Sequence, residues 1–217
     1  MNVAQIVTTR RTCKAFDPSR KITDAVMEEL KTVLRYAPAS VNSQPWHFVI
    51  ASSAAGKAKL VDTLAGPYAY NAPKVANCSH VVVLCARTDL DAAHLAAVLA
   101  QEEADGRFPT PEGKTMQNNS RTFYVNYHKE QLHDLDTWID RNLYIALGNL
   151  LLAAGALGVD ACPMEGIDPK AIDAALGLGE QGLRSVVLVA LGYSGADDFN
   201  AKLPKSRLPA ASLFSEI

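Results

Sequence analysis

The chain has 217 residues, 48% of them hydrophobic, and a formal net charge of −2. That length suffices for one sizeable core, so a single domain over 1–217 is expected, and the weak charge argues against nucleic acid or an anionic membrane as principal partner. The four cysteines, Cys13, Cys78, Cys85 and Cys162, form no CxxC pair, which argues against a disulfide framework and against a zinc site.

The first residues lack the charged start and long apolar run of a signal peptide, so a cytoplasmic protein with reduced thiols is expected. Residues 3–9 read as a short amphipathic helix with Val3, Ile6 and Val7 on one face, leading into the basic run Arg10-Arg11-Thr12-Cys13-Lys14. A second helix is capped by Thr23, lined by Val26, Leu30, Val33, Leu34 and Ala37, and stopped by Pro38. The loop 38–46 that follows is rich in amides and hydroxyls, and it precedes a strand over 47–52. Residues 56–64 look helical and are broken at Gly66-Pro67. The segment 68–74 then sets Tyr68 and Tyr70 beside Asn71 and Lys74. The short apolar run 80–86 reads as a strand buried on both faces.

A helix over 91–104 is followed by a loop marked by Pro109 and Pro111, then by a polar helix over 115–132 carrying Phe123, Tyr124 and Tyr127. The stretch 136–158 is the longest helical pattern. From Leu143 onward its apolar residues run all the way round, which predicts burial on every side, in a large core or in a subunit interface, and Gly158 is placed as a C-terminal cap. A brief strand over 159–166, a helix over 168–176 with Pro169 at its first position and a second buried strand over 184–193 follow. Residues 199–217 read as an extended tail. Few, short, buried strands in mixed order with many helices indicate an α+β fold with one central sheet covered by helices.

Gly177-Leu178-Gly179-Glu180-Gln181-Gly182 matches GxGxxG, but it follows a helix and precedes a strand, the reverse of a dinucleotide-binding turn, so it reads as a plain glycine-rich turn. The five histidines show no metal-ligand spacing, and no nucleophile or acid–base pair stands out. What remains is a set of separated cations: Arg10, Lys14, Lys74, Lys205 and Arg207. Some of them could bind a phosphate while others face a second anionic centre, as a reduced flavin mononucleotide would offer.

The ordered landmarks Arg10-Arg11-Thr12-Cys13-Lys14-Ala15-Phe16, Asn42-Ser43-Gln44-Pro45-Trp46, the run 101–108, Pro163-Met164-Glu165-Gly166 and the run 203–209 resemble the FMN-dependent nitroreductase family over essentially the whole chain. The likeness is nearest to its oxygen-insensitive NAD(P)H branch of enteric bacteria, also associated with dihydropteridine reduction. The resemblance implies a mainly antiparallel sheet in an intertwined homodimer with FMN at the interface. It implies that Arg10, Lys205 and Arg207 hold the FMN phosphate, aided by Thr12 and Ser206, that Arg11 also binds the cofactor, and that Lys14, Asn71 and Lys74 lie at the pyrimidine edge. Glu165 and Gly166 should approach N5, Pro163 and Met164 should pack on one face of the ring, and Ser40 and Asn42 should come from the partner subunit. Tyr68, Tyr70 and Tyr124 should form an aromatic mouth. Residues 212–217 should add an edge strand to the partner.

The implied activity is ping-pong, two-electron reduction of nitroaromatics or quinones by NADH or NADPH, with the chemistry on the flavin and no catalytic side chain. A flavin, enone or dihydropteridine reductase, and a flavin-binding protein without turnover, are the alternatives. Thr12-Cys13 and Ala39 depart from the serines common in the family.

Overall fold

The computed structural model describes residues 2–217. Strands β1 (Trp46–Ala51), β2 (His80–Arg87), β3 (Asp160–Met164) and β4 (Leu183–Gly192) form one sheet in the order β1-β2-β4-β3, with every pairing antiparallel. In the centre Val82 faces Val189 and Val83 faces Leu188 across the β2–β4 ladder. These two strands read as unbroken apolar runs because both faces of the sheet are covered, not because their neighbours run parallel.

Alternation along the strands divides the core in two. Val82, Leu84 and Ala86 of β2 join Val187, Val189 and Leu191 of β4 on one face. There they pack with α2 (Asp24–Arg35) and α7 (Leu135–Ala156), and α5 (Ala92–Ala104) and α6 (Pro111–Asn126) close the edge with Leu95 and Val125. Val81, Val83 and Cys85 join Leu188 and Ala190 on the other face. Leu60 of α3 (Ala54–Asp62), Val75 of α4 (Ala72–Asn77) and Ile172 of α8 (Pro169–Leu176) cover that side. The short α1 (Val3–Thr9) lies against the end of α7. A Cβ at Gly155 would come within 3.0 Å of the Arg10 side chain and 3.1 Å of Ile6, so a bare backbone there lets α1 settle and fixes where Arg10 emerges.

The α+β architecture and antiparallel sheet are as the sequence indicates, and several local expectations are corrected. α7 begins at Leu135 and is capped at Leu157, with Gly158 left-handed at φ 70°. Its all-round apolar surface is not buried all round within the chain. Leu143, Ala146, Leu147, Leu150 and Ala154 face the sheet, whereas Tyr144 and Ile145 are 40% and 45% exposed. Pro111 opens α6 rather than marking a loop, because the missing N–H of a first-turn proline costs nothing and Thr110 supplies the cap. The pattern 115–132 ends its α-helix at Asn126 and finishes as a π-turn over Tyr127–Gln131. Residues 66–71 form a 3-10 helix leading into α4, elements the sequence pattern did not reveal. The tail is extended except for two 3-10 turns, Phe199–Lys202 and Ala210–Ser212, and 213–217 join no strand of this chain.

All four thiols are buried. Burial pushes Cys13 and Cys85 up to about 12 and Cys78 up to about 11. Native protein should therefore react negligibly with a disulfide reagent at pH 8 over minutes and release its full thiol count in denaturant. Leu150→Ala, in a fully buried position, should cost about 2–5 kcal/mol in urea unfolding, while Met116→Ala, 72% exposed, should stay within about 0.5 kcal/mol.

Candidate functional site

The segment that leaves α1 contributes to the lining of two cavities. One, of about 530 Å³, is lined by Arg10, Arg11 and Thr12 from that segment and by Lys205, Ser206 and Arg207 from the tail. Thr12 is held by a bridge to Ala161 of β3, and the Cys13 N–H donates to the Ala161 carbonyl at 3.0 Å. The cations find only carbonyls. The Arg11 guanidinium donates to Ala201, Lys205 to Val7, and Arg207 to Ser206. None of Arg10, Arg11, Lys14, Lys74, Lys205 and Arg207 forms an ion pair among the described residues. Burial, with the neighbouring charges of Arg10, Arg207 and Arg11, holds Lys205 below its ordinary pKa. Cations crowded together without a carboxylate are what an anion-binding site presents before its ligand arrives.

The second cavity, of about 510 Å³, is lined by Lys14, Tyr70, Asn71, Lys74, Phe199 and the run 162–166 at the end of β3. Asn71 is locked at both ends. Its Nδ2 donates to the Gly166 carbonyl at 2.8 Å, and its Oδ1 accepts from Lys74 Nζ at 2.8 Å. Lys74 also donates to the Tyr70 carbonyl, and burial together with the charge of Lys14 lowers its pKa. A Cβ on Gly166 would lie 2.1 Å from the Tyr70 hydroxyl and 3.1 Å from Asn71 Nδ2, so only glycine lets the strand end press against 70–71. The Tyr144 hydroxyl donates to the Glu165 carboxylate, which raises the tyrosine to about 12 through burial and that hydrogen bond.

A residue that sequence reasoning passed over joins the two arms. Asp198 is 1% exposed. Its Oδ1 accepts the N–H of Lys14 at 3.0 Å and of Asn200 at 3.2 Å, and its Oδ2 accepts the Ser194 hydroxyl at 3.1 Å. Asn200 in turn donates from Nδ2 to the Thr12 carbonyl at 2.7 Å. Ser194 also lies 2.8 Å from Asp160 on β3. The readable signal was local: an Asp two residues before Asn, just after the last strand, is the pattern of a side chain that bonds its own backbone two residues on.

The other expected site residues divide. Within one chain the cavities bring together Arg10, Arg11, Thr12, Lys14, Asn71, Lys74, 163–166, Lys205, Ser206 and Arg207. Met164 is 3% exposed and points into the core, so Pro163 alone has surface to offer a planar ligand. Of the three tyrosines, Tyr70 alone lines the cleft. Tyr68 packs on the core cluster of α3, α4 and α8, and Tyr124 sits on α6 with its ring 5.3 Å from Phe123. Ser40 and Asn42 lie away from both cavities, against α5 and α7. The GxGxxG run is a turn: Gly177 caps α8 at φ 62°, a 3-10 turn covers Gly179–Gln181, and Gly182 follows at φ 65°. No cluster of metal-binding side chains and no helix long and apolar enough to cross a membrane occurs among the described residues.

The nitroreductase family profile matches residues 7–193. The chain belongs to the nitroreductase family. It is 46% identical over 216 residues to the oxygen-insensitive NAD(P)H nitroreductase of Enterobacter cloacae and 45% identical over 217 residues to that of Salmonella typhimurium, each match covering 100% of both chains. Among solved structures, a protein of Exiguobacterium sibiricum described as a nitroreductase in complex with FMN superposes with a TM-score of 0.84 at 24% identity, covering 100% of this chain and 98% of that one. In this nitroreductase-family chain, Asp198→Ala should leave the N–H groups of Lys14 and Asn200 without their acceptor, while the Ser194 hydroxyl keeps Asp160. It should cost about 1–3 kcal/mol in chemical unfolding and speed proteolysis of the tail, whereas Asp198→Asn, which keeps an acceptor for both N–H groups, should retain most of the stability.

Proposed function

We propose that the protein is an FMN-dependent oxidoreductase that uses NADH or NADPH for two-electron reduction of nitroaromatics or quinones. The observation that carries this reading is the frame of cations without counter-anions joined to a donor-lined cleft. Full-length relatives named oxygen-insensitive NAD(P)H nitroreductases support it.

The residues present fit the cofactor. A phosphate brings the anion that Arg10, Arg11, Lys205 and Arg207 lack, with Thr12 and Ser206 at hand as hydroxyl donors. Lys14, Lys74 and Asn71 put donors and positive charge in the adjoining cleft, which favours a ring that gains negative charge. Pro163 supplies a flat apolar surface, while Glu165 and Gly166 bring bare backbone to the rim. Tyr144 steadies Glu165.

When bound, FMN accepts a hydride from NAD(P)H and hands two electrons to the acceptor. No side chain of the cleft is needed as proton donor, and solvent serves. The glycine run 177–182 is a turn, so this chain has no dinucleotide-binding fingerprint of its own, and donor and acceptor take the one cleft in turn. We read the enzyme as a cytoplasmic homodimer of single-domain chains. The uncovered apolar side chains Tyr144, Ile145, Leu208, Leu213 and Phe214 then find cover on the second copy, and Ser40, Asn42 and Tyr124 reach the partner's cleft.

The test is an anaerobic visible spectrum of purified protein. A yellow protein that bleaches with NADH or NADPH and recovers with a nitrofuran or a quinone is the expected result, and a colourless protein that takes up no FMN would sink it. Lys205→Ala should weaken FMN at least tenfold at low salt and leave riboflavin, which lacks the phosphate, nearly unchanged.

A further inference from the structure

The loop before β1 holds three residues in left-handed backbone, none of them glycine: Val41 (φ 48°), Asn42 (φ 51°) and Gln44 (φ 45°). A β-branched valine resists that region, so the surroundings must impose it. Three helices do so. Arg121 of α6, fully buried, donates from Nε to the Val41 carbonyl at 3.0 Å and from a terminal nitrogen to Glu102 Oε2 at 2.6 Å. Glu102 of α5, 3% exposed, accepts Asn42 Nδ2 at 2.7 Å on its other oxygen. The His94 ring lies 2.7 Å from the Ser43 carbonyl, and Asn142 of α7 accepts the Ser40 N–H at 2.7 Å.

A buried ion pair is a poor way to gain stability, since apolar residues of like volume commonly do as well or better. Its value here is geometric. The planar guanidinium grips a strained carbonyl and a carboxylate at once, which no other side chain does. A carboxylate only accepts, so Glu102 obliges Asn42 to turn its NH₂ group inward and commit one N–H to the chain, which fixes the direction of Oδ1. The Asn42 Oδ1 makes no hydrogen bond among the described residues and is left as an acceptor for something else.

We propose that the Glu102–Arg121 pair is a positioning element that holds the loop 40–44 in its left-handed form and presents Ser40 and Asn42 to the flavin, Asn42 as a hydrogen-bond acceptor. This rests on the flavin reading above and on the loop serving the cleft of the partner subunit.

Arg121→Lys tests it. An ammonium keeps the charge but cannot span Val41 and Glu102 together. In hydrogen exchange on the apoprotein, the amides of 40–44 should exchange at least about tenfold faster in the variant, with β2 and β4 unchanged. FMN affinity, followed by flavin fluorescence, should fall about tenfold, the size of one lost hydrogen bond. Unchanged exchange at 40–44 overturns the holding role, and faster exchange with unchanged FMN affinity overturns the presenting role. If the wild-type protein itself takes up no FMN, the flavin reading falls, and the exchange measurement still decides whether the pair holds the loop. Glu102→Gln combined with Arg121→Met removes both buried charges and replaces Arg121→Lys should that variant not fold. If neither folds, the pair is a requirement for folding and the proposal is wrong.

Discussion

Both cavities hang from the pairing of β4 with its neighbours. β3 pairs along β4 from Asp160 opposite Gly192 to Met164 opposite Leu188, so the ladder fixes where 163–166 leave the sheet. The same strand ends at Gly192, where the chain turns towards Ser194 and Asp198. A Cβ at Gly192 would come within 3.0 Å of Phe16 and 3.1 Å of the Ser79 backbone, so the segment that carries the cations after α1 continues past the end of β4 in close contact. A shift of register by one residue would move every one of these exits to the opposite face. The close packing of both core layers against β2 and β4 makes such a shift prohibitive.

On that frame the charges are arranged unevenly. Of the acidic side chains near the site, Glu165 accepts from Tyr144, and Asp160 and Asp198 accept from backbone N–H groups with the Ser194 hydroxyl between them. They are spent on shape. The cations are left with carbonyl contacts alone, which hold them in place without neutralising them. This division explains how positive charge can be concentrated without pulling the chain ends apart. Hydrogen bonds to neutral backbone secure the geometry, and the unspent charge remains for a ligand.

How much of this was legible follows from whether a feature is local. The buried strands, the α+β class and the helix of 136–158 showed in the sequence because apolar runs and caps are local patterns. The basic run 10–14 and the pair Lys205 and Arg207 were visible as charge, but only the ordered landmarks tied them to one site. Asp198, Asn200, Glu102 and Arg121 were not assigned. A buried carboxylate or guanidinium looks like any surface charge until its partners are known, and those partners lie far along the chain. Tyr68 lines neither cavity, and Met164 lines the cleft while packing in the core, because aromatic and apolar residues suit a ligand wall and a core equally well. The apolar surface of α7 was legible as needing cover in a core or a subunit interface, but not which of its sides the single chain would leave exposed.

The cation frame is assembled from the two ends of the chain. The bond from the Lys14 N–H to Asp198 joins residues 184 apart, that from Asn200 to Thr12 spans 188, and that from Lys205 to Val7 spans 198. Synthesis runs from the N-terminus at about 5–20 residues per second, so Arg10 emerges on the order of ten seconds or more before its partners exist. A nascent chain, or one truncated in its last twenty residues, therefore has half a clamp and no means to retain a phosphate. Loading of an anionic cofactor therefore waits until the chain has been made through Arg207 and 198–207 have docked against the segment after α1.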